Sequence, residues 1–61
     1  MKFSEFYREL IAAGCYVIRK GGEHNVWYSP KTKRKHSVGR HPSQEVPTGT
    51  LRKARRVLLG K

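Results

Sequence analysis

Two adjacent glycines near the middle of the chain, Gly21 and Gly22, constrain its fold more than any other feature. Glycine takes positive φ without steric cost, and glycines between two β-prone runs favour a tight hairpin. The run before them, residues 15–20, reads Cys-Tyr-Val-Ile-Arg-Lys, and the run after them contains Val26-Trp27-Tyr28. Pro30 ends the second run, because proline cannot donate to a strand ladder. The sequence therefore predicts a central antiparallel hairpin with strands at 15–20 and 24–29.

Alternation along the second strand separates its side chains between two faces. His24, Val26 and Tyr28 are expected on one face, and Asn25 and Trp27 on the other. A bulge beside the glycines would break this alternation, and the sequence leaves that alternative open. His24 is predicted to lie where the turn becomes a strand, on backbone that a ligand could approach closely.

Helical periodicity precedes the hairpin. Ser4 is expected to cap the start of this helix, and the negative charge of Glu5 is favourable near the positive end of the helix dipole. Gly14 is expected to end the helix after Ala13. Five apolar residues have the i, i+3, i+4, i+7, i+8 spacing of one helix face: Phe3, Phe6, Tyr7, Leu10 and Ile11. These residues are interpreted as core rather than as a ligand-binding stripe.

A third strand is predicted over 35–40, followed by an irregular connector and a second helix. Thr48-Gly49-Thr50 begins this helix and Gly60 ends it. Its expected core face carries Leu51, Ala54 and Leu58, with Val57 alongside. The order α-β-β-β-α predicts an α+β fold: a three-stranded antiparallel sheet with both helices on one face.

The length of 61 residues allows one domain, residues 1–61, with a thin core. The single cysteine, Cys15, can form no internal disulfide and is expected to pack as a small apolar residue. A lone thiol favours a reducing compartment. No apolar run approaches the ~20 residues of a membrane span, and no signal-peptide pattern is present. We therefore expect a cytoplasmic protein without a membrane partner.

The charge balance points to a polyanionic partner. Fourteen Lys and Arg stand against four Glu and no Asp, for a formal charge of +10. Such an excess repels itself unless an anionic partner compensates for it. RNA or DNA is the leading candidate, an acidic protein the second and an anionic membrane the third. The membrane is disfavoured because the helices carry ordinary core-facing stripes.

The residues available for chemistry exclude several classes of enzyme. Without Asp, and with scattered Glu, the chain offers neither a Ser-His-Asp triad nor a convincing carboxylate metal site, so no metal or cofactor is expected. Histidine with arginine and lysine suffices for metal-free RNA cleavage, because RNA supplies its own 2′-hydroxyl nucleophile. His24 has the exposed, glycine-flanked position. His36 reads as a half-buried strand residue, and His41 either contacts phosphate or faces water.

Three stretches together resemble the HicA toxin family. The first is Ala12-Ala13-Gly14 before the strand Tyr16-Val17-Ile18-Arg19, and the second is Gly22-Glu23-His24, similar to the Gly-x-His element of the family. The third is Val38-Gly39-Arg40-His41-Pro42, followed by Glu45 and then by Gly49-Thr50-Leu51 at the start of the last helix. The resemblance covers nearly the whole chain in the right order. One departure is Glu23, where the family often has serine.

The resemblance implies a double-stranded-RNA-binding-like fold and the toxin of a type II toxin–antitoxin pair. It also implies mRNA interferase activity, which inhibits translation and growth, and a cognate HicB-like antitoxin that covers the active site. The catalytic histidine of the family corresponds to His24. A carboxylate beside it, at Glu23, is expected either to orient the imidazole or to repel RNA.

Three uses of this fold remain open from the sequence, and the third is an interaction protein whose positive face meets only an acidic protein partner. In the first, a metal-independent endoribonuclease acts on mRNA with His24 as its only histidine base or acid, and the other proton-transfer group is an Arg, a Lys or water. In the second, the chain is a non-catalytic RNA-binding module. In the first two, phosphates are expected at Arg19, Lys20, Lys33, Arg34, Lys35 and Arg40. Trp27 or Tyr28 stacks on an unpaired base if its face is open, but core packing is preferred for Trp27.

Overall fold

The computed structural model describes residues 1–61 and confirms the predicted order of elements. Helix α1 spans Phe3–Ala12, strands β1, β2 and β3 span Tyr16–Lys20, His24–Ser29 and Arg34–Gly39, and helix α2 spans Thr48–Leu59. The strands form one antiparallel sheet in the order β1-β2-β3, so β2 is central. The molecule is a small α+β fold with an open three-stranded sheet.

The pairing of β2 with β3 is regular, from His24 opposite Gly39 to Ser29 opposite Arg34. The only break in register lies in β1, where Ile18 bulges between Val17 and Arg19. The bulge that the sequence left open therefore falls outside β2, and the alternation of β2 is intact. Trp27 is buried on the helix side, whereas His24 is exposed.

Both helices pack on one face of the sheet. Trp27 lies against Tyr7 of α1 with ring centroids 5.8 Å apart, and the Cys15 thiol lies 3.7 Å from the carbonyl oxygen of Leu58 in α2. The core combines apolar residues from α1, the sheet, the connector and α2: Phe3, Phe6, Leu10, Cys15, Trp27, Val38, Val46, Ala54, Val57, Leu58 and Leu59. The expected packing of Cys15 as a small apolar residue is confirmed.

The predicted core position of Ile11 is wrong, because its side chain is 62% exposed. At 100° per residue Ile11 lies about 80° around the helix from Phe3, at the edge of the stripe. Phe3, Phe6 and Leu10 already fill the space over the sheet, so the edge residue faces solvent.

The predicted capping role of Ser4 is also wrong, because α1 begins at Phe3 and Lys2 takes the N-cap position. The Glu5 carboxylate accepts a hydrogen bond from the Lys2 N–H at 2.9 Å. Instead of a serine hydroxyl, the connector before α2 satisfies the first N–H groups: Phe3 donates to the carbonyl of Gln44 at 2.9 Å and Ser4 to that of Pro42 at 3.0 Å. Strands β1 and β3 differ from their predicted bounds by one residue.

Candidate active site

His24 lies in an open cleft at the end of the sheet where β2 begins and β3 ends. The cleft has a volume of about 570 Å³. Its walls come from five parts of the chain: the start of α1, the β1–β2 turn with the start of β2, β3, the connector and the first turn of α2. The polar groups on these walls include Glu23, His24, Ser37, His41, Gln44 and Thr50.

The glycine turn fixes the backbone of His24. The Gly21 N–H donates to the His24 carbonyl oxygen at 2.9 Å. A Cβ atom on Gly21 would lie 2.4 Å from that oxygen, whereas a Cβ on Gly22 would meet nothing within 4 Å. Neither glycine has positive φ, so the conformational reason expected from the sequence is wrong. Gly21 is needed for close backbone approach, and Gly22 is not.

Arg40 ties this turn to the end of β3. Its guanidinium donates to the Gly21 carbonyl oxygen at 2.7 Å, and its backbone N–H donates to the Glu23 carbonyl oxygen at 3.1 Å. The sequence predicts only a phosphate-binding role for Arg40. In the structure its guanidinium also holds the backbone of the turn that leads into His24.

Tyr7 of α1 fixes the other side of the cleft, because its hydroxyl donates a hydrogen bond to the Gly39 carbonyl oxygen. Burial raises the pKa of Tyr7, and this outweighs the opposing effect of the nearby Arg40 charge. The phenol therefore stays protonated at neutral pH and remains a donor. A Cβ at Gly39 would lie 3.0 Å from the Phe3 ring, so glycine lets β3 end against α1.

His41 lies on the same cleft as His24, which sequence spacing alone does not reveal. It follows β3 in the connector, where its carbonyl oxygen accepts a hydrogen bond from the Gln44 N–H at 3.0 Å, and its side chain is exposed. The signal for this placement is its position two residues after Gly39, the strand partner of His24.

His36, in contrast, does not line this cleft. It is half-buried opposite Trp27, as the sequence predicted, and burial lowers the pKa of its imidazole, with Lys53 contributing a smaller effect in the same direction. Trp27 is 6% exposed and belongs to the core. Tyr28 is on the open sheet face beside Tyr16, with ring centroids 5.6 Å apart, so it is the aromatic residue of β2 that a base could reach.

The six predicted phosphate-binding residues divide by their distance from His24. Lys20 pairs with Asn25, the residue after His24, so it is near His24 in register but on the opposite face of the sheet, and Arg40 contacts the glycine turn. Arg19 and Lys35 line a second depression, of about 350 Å³.

Lys33 and Arg34 lie at the opposite end of the β2–β3 hairpin. Ser29, the strand partner of Arg34, is five residues from His24, or about 17 Å along the strand. Lys33 has φ of +58° in the turn between β2 and β3, and its N–H donates to the Ser29 carbonyl oxygen at 2.7 Å. The structure thus arranges the predicted residues along the hairpin rather than around one point.

Most of the positive charge is unpaired. Of the Lys and Arg side chains, only Arg55 forms an ion pair, with Glu9 at 3.1 Å. Glu45 pairs with the N-terminal amine at 2.9 Å and Glu5 accepts the Lys2 N–H, so Glu23 is the one Glu without an ion pair or hydrogen bond to its carboxylate. No three His, Cys, Asp or Glu side chains converge on a common point. No helix is long and apolar enough to cross a membrane.

Comparison with known protein families gives one match that spans the fold just described. The model of the family described as the HicA toxin of bacterial toxin–antitoxin systems matches residues 3–58, from the start of α1 to the last turn of α2. No curated protein and no solved structure matches the chain. The matched segment contains the cleft, both of its histidines and all six predicted phosphate-binding residues. The chain belongs to the HicA toxin family of bacterial toxin–antitoxin systems.

Proposed function

We propose that this toxin is a metal-independent endoribonuclease that cleaves mRNA, with His24 moving a proton in the reaction. The observation that carries the proposal is the position of His24: exposed, in a cleft, on backbone fixed by Gly21 and Arg40. A fixed backbone favours catalysis because it limits the ordering that is needed to place the imidazole.

The chemistry needs little from the protein. A neutral His24 imidazole takes the proton of the 2′-hydroxyl, and the resulting oxygen attacks the adjacent phosphorus. Negative charge develops on the phosphate oxygens, and Arg19, the strand partner of Val26 on the sheet face that carries His24, would supply positive charge on that face. Imidazole is suited to this role because its ordinary pKa lies near neutral pH.

The hairpin supplies a binding surface beyond the cleft. Lys33, Arg34, Arg19 and Lys35 extend positive charge from the distal turn toward the cleft, and they would contact successive phosphates. Tyr28, on the open face, would stack on an unpaired base. This arrangement favours single-stranded RNA, whose bases are free to stack.

A toxin of this family has an antitoxin partner, and we propose that the partner is HicB-like and covers the His24 cleft. The thin core and the net charge of +10 give the physical reason for a tight complex. A partner that binds only the folded form stabilises it, by about 2.7 kcal/mol when its concentration is a hundred times Kd.

The proposal is tested by RNA cleavage in EDTA, with the same substitution placed at two histidines. His24→Gln should reduce the single-turnover rate by about 10²-fold or more, the usual contribution of a proton-transfer group. His36→Gln, which alters a histidine outside the cleft, should retain the rate within a few fold. Circular dichroism and thermal melting establish that both variants are folded.

The open basic face favours one alternative, a non-catalytic RNA-binding module. In that case neither the wild-type protein nor the variants would cut RNA, and His24→Gln would bind it as tightly as the wild type. Cleavage that survives in His24→Gln but not in His36→Gln would also contradict the proposed site. If there is no measurable RNA affinity at physiological salt, the positive surface serves an acidic protein partner instead.

A further inference from the structure

We infer that His41 is a second catalytic residue, the general acid that protonates the leaving 5′-oxygen of the cleaved RNA. This inference rests on the proposed function and adds a second proton-transfer group to the single histidine described above. It concerns the connector after β3, to which the proposed reaction assigns no step.

Strand register brings the two histidines together. His24 pairs with Gly39, and the bond from the Arg40 N–H to the Glu23 carbonyl continues this backbone pairing past the end of β3. His41 follows this bond in the connector, two residues beyond the direct partner of His24, which is the sequence position of a diagonal neighbour, and it lines the same cleft. Diagonal neighbours in an antiparallel pair lie on the same face, about 7–8 Å apart, within reach of long or aromatic side chains.

Both imidazoles are exposed and line one cleft, so a phosphate group can enter between them. The charged residues that line this space, besides the two histidines, are Glu23 and Glu45, and Arg40 contacts the glycine turn without lining the cleft. Glu45 is paired with the N-terminal amine, which leaves Glu23 beside His24 as the free carboxylate. The third histidine, His36, lines only the second depression.

With both histidines, every proton in the cleavage step has a donor and an acceptor. His24 accepts the 2′-hydroxyl proton, the 2′-oxygen forms a bond to phosphorus, and the bond from phosphorus to the 5′-oxygen breaks. The His41 imidazolium gives its proton to that leaving oxygen. The products are a 2′,3′-cyclic phosphate and a free 5′-hydroxyl, and no oxidant, reductant or metal ion enters the step.

Two RNA substrates distinguish whether His41 acts as a general acid or only binds phosphate. The first is an RNA oligonucleotide spanning a site that the wild type cleaves in EDTA, and the second has the same sequence with sulfur in place of the bridging 5′-oxygen at that site. A thiolate leaves without protonation, so a general acid matters only for the first substrate. Single-turnover rates are measured for wild type, His41→Gln and His24→Gln at saturating protein.

His41→Gln should cleave the oxygen substrate at least about 10²-fold more slowly than the wild type, and the sulfur substrate within about tenfold of it. His24→Gln should remain slow on both, because the sulfur substitution does not replace the base. His41→Asn, with a shorter amide, should repeat the selective loss. Both changes are at an exposed residue, and melting curves verify the fold.

Equal loss on the two substrates would overturn the inference and assign His41 to phosphate binding. Full activity of His41→Gln on the oxygen substrate would overturn it as well. In either case cleavage by the wild type and its loss in His24→Gln leave the proposed function standing. Failure of the wild type to cleave any RNA would instead remove the proposed function, and this inference with it.

Discussion

The requirement for glycine differs sharply between the two adjacent residues of the β1–β2 turn. A side chain at Gly21 would meet the His24 carbonyl oxygen at 2.4 Å, and one at Gly22 would enter open space. We expect Gly21→Ala to destabilise the fold by about 1–3 kcal/mol, the usual range for inserting atoms into packed structure. Gly22→Ala should change stability by less than about 0.5 kcal/mol.

Urea denaturation of the two variants beside the wild type measures this difference. Because the clash is with the backbone of His24, Gly21→Ala should also slow RNA cleavage, whereas Gly22→Ala should not. Equal stabilities for the two alanine variants would contradict the close approach seen at Gly21.

His36 gives the fold a modest pH dependence. Burial, aided by the Lys53 charge, lowers the pKa of His36 in the folded state. The unfolded chain therefore binds this proton at a higher pH than the folded protein, and stability is lost as pH falls below about 6.5, the ordinary histidine value. The effect is small because the imidazole is only half-buried.

Melting temperatures between pH 7.5 and pH 5 test the contribution of His36. The wild type should lose more stability across this range than His36→Gln, whose side chain does not titrate. Ser37→Ala, a neighbouring change without a titrating group, should keep the wild-type dependence. A steeper pH dependence in His36→Gln than in the wild type would show that the sign of the shift is wrong.

At the level of elements, the proposed function assigns RNA binding and chemistry to opposite ends of the β2–β3 hairpin. The basic turn, defined as residues 33–35, comprises the last residue of the β2–β3 turn and the first two residues of β3, and Ser29 beside it is about 17 Å along β2 from His24. Changing Lys33, Arg34 and Lys35 to Gln should weaken RNA binding and reduce the salt slope by about 2, if all three contact single-stranded phosphates. The cleavage rate at saturating RNA should stay near the wild-type value.

A control with the same change in net charge replaces Arg52, Lys53 and Arg56 of α2 by Gln. These side chains are exposed on the helix that covers the other face of the sheet. Their loss should weaken RNA binding less than loss of the turn cations does. If the two triple variants show the same salt slope, the positive charge acts as a diffuse field, and the basic turn makes no specific contacts.

Sequence periodicity predicts each element well, and its failures come from contacts between segments that are distant in the sequence. The stripe of α1 places Phe3, Phe6 and Leu10 correctly, but it cannot show that Ile11 lies beyond the edge of the sheet. Ser4 is a favourable capping residue in sequence, yet the connector supplies the carbonyl groups that its first turn needs. Both errors arise because packing between distant segments decides which side of a helix is covered and where the helix begins.

At the scale of the whole molecule, the cleft is the feature that the sequence predicts only in part. The turn glycines and the family resemblance single out His24, since they are local signals. The approach of His41 depends on the pairing of β2 with β3 and on the path of the connector, which no spacing rule contains. The hydrogen bond from the Arg40 guanidinium to the Gly21 carbonyl likewise joins residues nineteen positions apart in the sequence.

The distribution of charge also acts on the molecule as a whole. Fourteen basic side chains surround a core of eleven buried apolar residues, and only one of the basic side chains, Arg55, forms an ion pair. Such a surface associates with polyanions at rates that fall as the salt concentration rises. A polyanion that binds only the folded protein also stabilises the folded state. In the proposed function, the same positive surface would serve RNA and an antitoxin that competes with it.

The central claim is that RNA supplies its own nucleophile and that the histidine cleft moves the protons. The most direct test is the chemical identity of the RNA ends produced by the wild type in EDTA, determined by mass spectrometry at early times. The account predicts a 2′,3′-cyclic phosphate on one fragment and a 5′-hydroxyl on the other. A 3′-hydroxyl with a 5′-phosphate would mean that water attacked the phosphorus, and it would contradict the account.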